Sequence, residues 1–286
     1  MDTFEDPLSL EAAYRTQLYK LVTSWIPVKL SDLSPTHWLN ELASISTRKK
    51  IADESLKLVT RMVVRVNADN LKSWRTAALK AQGGPMIYHL LQEELRGKNA
   101  DLYKLYIRKT SRYLTNIPQE IAEEFLEEIA KAQQQGATSS SIAKILQVRF
   151  PQVLKSKVSM LARTGVSTAN TSLMRARCQE LGLSCFVWES MHDQRVRVSH
   201  KKMNGIVVFW DDLPSPESLN RQPSYLGNYA PGDCPNCRCY PRPILTLQDI
   251  FKTNQTMIRV YKQGSISSYS IAQFQKLTGI ESRLAA

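Results

Sequence analysis

The chain has 286 residues, of which 43% are hydrophobic, 8% aromatic and 22% charged, and its formal net charge is +12. That length buries enough apolar surface to fold without disulfide staples, and the composition is that of a globular protein rather than a disordered or fibrous one. No apolar run approaches the roughly 20 residues of a membrane helix, and the acidic start MDTFEDPLSL lacks the basic and apolar regions of a secretory signal, so the expectation is folding in a reducing cytoplasm with no membrane partner.

The first 115 residues are predicted to be helical. Asp6-Pro7 forms an N-cap and first-turn pair, followed by Leu10, Tyr14, Leu18, Leu21, Val22 and Trp25 at helical spacing, and Pro27 ends that segment. Ser34-Pro35 opens the next, where Leu42, Ile45, Ala52, Leu56, Val59, Val63 and Val66 mark one face of a single long helix. Gly83-Gly84-Pro85 is predicted to break the chain, and a Leu- and Tyr-rich helical pattern runs from His89 to Tyr113. His37 and His89 stand isolated and read as packing or surface residues.

Asn116-Ile117-Pro118-Gln119 has capping-box-like spacing and is predicted to start a second helical block. Ile121, Phe125, Leu126 and Ile129 form its apolar stripe, and Glu120, Glu123, Glu124, Glu127 and Glu128 its solvated face. Residues 133–141 read as a connector to a helix at 142–150, punctuated by Pro151. A longer helix is predicted from about Val153 to Leu181, with Gly182 as its C-terminal cap.

At Leu183 the texture changes. Cys185-Phe186-Val187-Trp188 is β-prone, Val196 and Val198 alternate with Arg195 and Arg197, and residues 206–210 read as a strand preceded by the hairpin-turn pair Asn204-Gly205. A long irregular segment, 211–233, follows; such loops are functional or disordered unless something pins them. After Pro241-Arg242-Pro243 the tail is predicted to carry a short helix, a strand near 257–261 and a Ser-capped helix from about Ser268. The expected class is α+β: a helical N-terminal domain at 1–115, a domain at 116–243 combining helix, a small sheet and a metal-stapled loop, and an α/β tail at 244–286.

Three of the five cysteines fall within Cys234-Pro235-Asn236-Cys237-Arg238-Cys239-Tyr240. A disulfide leaves one thiol over, whereas Cys-x2-Cys spacing lets two thiolates reach one tetrahedral zinc from a tight turn, and Pro235-Asn236 is turn chemistry. Cys239 can supply a third sulfur. For the fourth ligand His200 is the first choice, His192 the runner-up, and Cys178 and Cys185 are disfavoured by their helix and strand contexts. Thiols packed unliganded in a core are the competing account. Asp193 can orient a ligand histidine or pair with Arg238 or Arg195, so the zinc reads as structural. A zinc-dependent nuclease or hydrolase with His192 or Asp193 as base is the alternative.

These residues together resemble the phage Mu F-like head morphogenesis family, the minor capsid proteins of tailed phages. The resemblance runs through Ala162-Arg163-Thr164, Ser167-Thr168-Ala169-Asn170 and Phe186-Val187-Trp188. It is most specific in Asp193-x-Arg195-x-Arg197-x-x-His200, Gly205 and Pro235-Asn236-Cys237-Arg238-Cys239. It covers roughly 120–242. Gly165 stands where many relatives have glutamate, and Cys234 where many have histidine, an exchange that suits a zinc ligand. The resemblance implies a non-enzymatic virion protein, made in the host cytoplasm and held inside the capsid near the portal. It further implies contacts with portal, major capsid or scaffold protein and with packaged DNA, and roles in capsid assembly and DNA ejection. The basic charge fits a DNA-filled interior, and a zinc-bearing non-specific DNA-binding protein is a further alternative.

Overall fold

A computed structural model describes residues 4, 8–26, 34–80, 84–85, 87, 89, 91, 100–224, 226–250 and 257–279. Its helices follow the apolar spacing. α1 spans Leu8–Trp25 and buries Tyr14, Leu18, Val22 and Trp25. α2 spans Pro35–Ile45, with Ser34 as N-cap accepting from the His37 N–H. α3 is Lys49–Lys80, α4 Ala100–Gln134 and α5 Ser139–Glu180. The chain divides into two compact units, one gathering the described residues of 8–64 and 102–163, the other those of 1–7, 65–101 and 164–286. Asp6, Pro7, Pro27 and Gly83, read above as cap and breakers, lie outside the described residues, while Gly84 and Pro85 are helical.

Two helix boundaries differ from expectation in opposite directions. The long helix predicted across Leu42 to Val66 is two helices, because the chain turns at Ser46-Thr47, whose N–H groups bond to Ala43 and Ser44 carbonyls. After this turn the buried face is re-phased onto Ile51, Leu58, Val59, Met62 and Val63, leaving Leu56 43% exposed. Conversely, no helix starts at Asn116-Ile117-Pro118 and none ends at Pro151: both prolines sit inside α4 and α5. An interior proline costs about 3 kcal/mol, but Leu114, Ile117, Ile121 and Phe125 are buried in one stripe across Pro118. Each such side chain contributes about 1.5–3 kcal/mol, so the stripe outweighs the local penalty. Ser46 Oγ also accepts the Gln119 N–H at 3.3 Å. In α5, Ile142, Leu146, Leu154 and Val158 continue the buried face past Pro151 in the same way.

The second unit contains a five-stranded sheet of order β3-β1-β2-β4-β5, so the expected α+β class holds. β1 (Cys185–Glu189) is antiparallel to β2 (Ile206–Phe209) and to β3 (Tyr240–Pro243); β2 runs parallel to β4 (Met257–Lys262), and β4 pairs antiparallel with β5 (Ser265–Ser270). All five residues of β1 are buried. Their alternation sends Phe186 and Trp188 into a core with Trp74, Met174, Cys178, Ile206 and Val208. Cys185 and Val187 enter the opposite core with Val207, Ile258, Val260 and Phe274. Cys178 and Cys185 are therefore packing residues, and burial pushes the Cys178 thiol pKa up. α8 (Ile271–Thr278), reached after α6 (Val198–Met203) and α7 (Pro216–Leu219), closes the chain with a Ser270–Gln273 capping box and Gly279 in the left-handed conformation.

The alternation of Val196 and Val198 does not make a strand. Residues 190–197 are loop and turn, and Val198 begins α6. Nor does Asn204-Gly205 form a hairpin turn: it ends α6 and starts β2. Gly205, at φ 74°, donates its N–H to the Trp188 carbonyl, and Asn204 Oδ1 accepts from the Ser190 N–H at 2.9 Å. The β1–β2 excursion is thereby tied at its neck, and that places α6 beside the loop that follows β2. β5 went unpredicted because SISSYS carries no apolar alternation; four of its residues are exposed.

Candidate metal centre

α6 presents His200 inward, 2% exposed, and residues 231–239 bring up Cys234, Cys237 and Cys239, each no more than 4% exposed. The Pro235-Asn236 turn has Asn236 at φ 60° and a bond from the Cys237 N–H to the Cys234 carbonyl. This directs Cys234 and Cys237 to the same side. Ligand atoms of His200, Cys234 and Cys237 all lie within 4.8 Å of one another. Cys237 Sγ and Cys239 Sγ each lie 3.4 Å from His200 Nδ1, and Cys234 Sγ 3.9 Å from Nε2. Bonds of about 2.3 Å to sulfur and about 2.0 Å to nitrogen at a tetrahedral angle separate the two donors by about 3.5 Å. Cys237 and Cys239 thus stand at donor spacing from Nδ1, and Cys234 joins His200 and Cys237 in a group able to hold a metal ion.

Electrostatics point the same way. Burial opposes charge on His200, but its hydrogen bonds with Cys234 and Cys237 outweigh that and hold its pKa up at about 9. The bond from Cys237, with burial, pushes the Cys234 thiol upward. Thiols and imidazole thus share protons that a divalent cation would replace. Three thiolates and a neutral imidazole around such a cation leave one net negative charge, and Arg197 meets it. Its Nη1 donates to Cys234 Sγ at 2.6 Å and its Nη2 to the Pro235 carbonyl at 2.9 Å.

Sequence reasoning missed what orients the histidine. Tyr229 Oη lies 2.9 Å from His200 Nε2 and donates to Glu217, 2.8 Å from Oε1 and 2.7 Å from Oε2; Ser199 Oγ also reaches Glu217 Oε1 at 3.3 Å. With Nε2–H donating to Tyr229, the other nitrogen, Nδ1, is free to face Cys237 and Cys239, the arrangement by which an outer partner fixes a ligand's tautomer. Both Glu217 and Tyr229 come from the irregular 211–233 segment, whose only sequence signal was its length. Tyr229→Phe is expected to weaken metal affinity roughly 10–100-fold while leaving the fold intact, measured by competition with a chromophoric chelator.

The remaining singled-out residues are distributed around this cluster. Asp193 does not touch His200. It pairs with Arg238 and accepts the Arg195 N–H at 3.0 Å; burial raises its carboxyl, but the hydrogen bond and charge of Arg238, with those of Arg195, together outweigh that and hold it below the usual range. Arg238, which sits between two ligands in sequence, therefore ties the cysteine turn to the loop before α6. Arg195 itself is exposed. His192 is exposed, with φ 53°, and is not in the convergent group. Trp188 is fully buried, its ring edge-on to His200 at 5.6 Å between centroids. The α5 segment of the resemblance acts on the same loop. Thr164 Oγ1 accepts the Asn236 N–H at 3.1 Å, Thr168 donates to the Gly232 carbonyl at 3.3 Å, and Thr171 donates to the Pro231 carbonyl at 2.6 Å. Gly232, at φ 90°, has room for no side chain: a Cβ there would meet Ser167 Oγ at 2.6 Å and Thr171 Oγ1 at 2.8 Å.

Residues 123–241 match the family described as Phage Mu protein F like protein. An uncharacterized protein of Haemophilus influenzae is 26% identical over 154 residues, an alignment covering 52% of this chain and 32% of that protein. The chain thus spans about a third of the length of the curated relative it matches. No solved structure shows a significant match. The matched segment holds β1, α6, β2, all four cluster residues and the α5 threonines that grip the cysteine loop. The family match is thus confined to residues 123–241, less than half of the chain.

Proposed function

We propose that the protein is a phage minor head protein that acts structurally in head morphogenesis, with a zinc ion clasping the loop between β2 and β3. The family match over 123–241 carries this reading. The ligand chemistry supports zinc as the ion, because three thiolates and an imidazole select a soft, tetrahedral metal. When bound, the ion supplies cross-linking: it would join α6, through His200, to the cysteine turn, through Cys234, Cys237 and Cys239.

A structural role is favoured over hydrolysis by the donor count. Four protein donors fill a tetrahedral ion, whereas a catalytic zinc keeps a position open for water. The one carboxylate in the Asp193-to-His200 stretch is engaged by Arg238. In this reading the protein resides inside the capsid near the portal, touches portal and major capsid or scaffold protein, and lies against packaged DNA without reading its sequence. The net charge of +12 supports that last contact.

The test is twofold. Protein purified without chelator should contain about one zinc per chain, by mass spectrometry under non-denaturing conditions, and should co-sediment with portal-containing procapsids. Metal-free protein that keeps its cluster folded would overturn the zinc assignment; absence from procapsids would overturn the head-protein assignment.

A further inference from the structure

α4 is divided by charge. From residue 102 to 119 it holds four cations, Lys104, Arg108, Lys109 and Arg112, and no carboxylate; from 120 to 128 it holds five glutamates. The acidic half is answered within the same unit by α5: Arg149 pairs with Glu128, and Lys157 lies 3.8 Å from Glu120 and 3.2 Å from Glu124. Arg108, Lys109 and Arg112 of the basic half are not answered in that way. All four cations are exposed, and Arg108, Lys109 and Arg112 have no ion pair among the described residues.

The spacing aligns them. Lys104, Arg108 and Arg112 follow at i, i+4 and i+8, and Lys109 is three residues from Arg112, so the four share one helix face about 12 Å long. Like charges at these separations repel, each pair destabilising the helix by about 0.2–0.5 kcal/mol. Leu105, 66% exposed, falls among the cations on this side of the helix.

We propose that this face, Lys104, Arg108, Lys109 and Arg112, is a docking surface for the phosphate backbone of duplex DNA. The proposal rests on the head-protein reading for its setting, but the surface is defined by its own charges. The flexible cations on one rigid rod meet a backbone carrying one negative charge per about 1.7 Å of duplex axis. No carboxylate lies between Lys104 and Arg112, and no base-reading arrangement of Asn, Gln and Arg accompanies them, so the contact is sequence-independent.

The experiment measures binding of the full-length protein to a random-sequence 30-base-pair duplex by fluorescence anisotropy across a potassium chloride series. The variant carries Lys104→Gln, Arg108→Gln, Lys109→Gln and Arg112→Gln. These exposed positions should keep helicity, which circular dichroism checks. A control removes four exposed cations elsewhere, with Lys201→Gln, Arg221→Gln, Lys262→Gln and Lys276→Gln, so both proteins have the same net charge. Each phosphate contact contributes about 0.9 to the log–log salt slope, so the α4 variant is expected to lose about 3–4 of that slope and the control well under 1.

Equal loss in both variants would overturn the proposal, since net charge alone would then explain it. An unchanged slope with lost co-sedimentation on procapsids would also overturn it, assigning the face to a protein partner. Wild-type protein that binds duplex through this face but never joins procapsids would leave the surface standing and defeat only the head-protein reading.

Discussion

Replacing Cys237 with serine is expected to release the metal and to free the loop of residues 211–239, while the helical unit of 8–64 and 102–163 stays folded. Cys237 Sγ is buried and 3.4 Å from His200 Nδ1, and a serine hydroxyl is a poor substitute for a soft thiolate. The affinity loss should exceed the roughly 10–100-fold expected for an outer partner such as Tyr229. A structural zinc supplies on the order of 10 kcal/mol to small metal-dependent folds, so limited proteolysis should cut first in the released loop. Chelation of the wild-type protein should give the same fragment pattern without any mutation. Full metal content in Cys237→Ser would show that this sulfur is not a ligand.

The pH dependence has a definite sign. Metal binding requires thiolates and an imidazole nitrogen without its proton, yet His200 keeps its proton up to about 9 and the Cys234 thiol is pushed upward in the metal-free chain. Loading therefore displaces protons, and affinity should rise with pH between 6 and 8, by more than a tenfold per unit if more than one proton leaves. A flat profile over that range would be inconsistent with thiolate ligation.

Glu189→Ala should be the most damaging change outside the cluster, at about 3–5 kcal/mol. Glu189 is fully buried in β1, and its Oε1 accepts from Arg242 Nε at 3.0 Å and Nη2 at 2.9 Å across to β3. Removing the carboxylate strips a buried guanidinium of its countercharge at the sheet edge that leads directly from Cys239. Chemical denaturation would show the loss. Arg242→Met on the Glu189→Ala background should recover part of it, because a hydrophobic pair replaces a broken ionic one. A change below about 1 kcal/mol would place the pair among weakly contributing ion pairs.

Much of this protein was legible residue by residue. Strand β1 announced itself through Phe186-Val187-Trp188, α2 through Ser34-Pro35, α8 through its serine cap, and the His/Cys cluster through Cys-x2-Cys with His200. Each of these signals is local: a cap, a turn or a ligand spacing acts over a few residues, whatever else surrounds it. What failed were inferences in which a local signal was weighed without its burial. Pro118 looked like a helix start and Pro151 like a stop because proline's local preferences are visible in sequence, whereas the buried stripes that override them form only on packing. Asn204-Gly205 looked like a hairpin because its turn preference is intrinsic, but the intervening α6 gave the same pair a different task.

The sequence by itself determined the α+β class, the family resemblance and the candidate ligand set of His200, Cys234, Cys237 and Cys239, since all three rest on residue type and spacing. The tertiary structure alone decided that Tyr229 and Glu217 orient His200, that Arg238 pairs with Asp193 and Arg197 with Cys234, and that threonines of α5 hold the cysteine loop. Those partners are separated by 12 to 72 residues. No local preference encodes such a pairing; it exists only because burial of β1 and α6 in one core brings the segments within hydrogen-bonding distance.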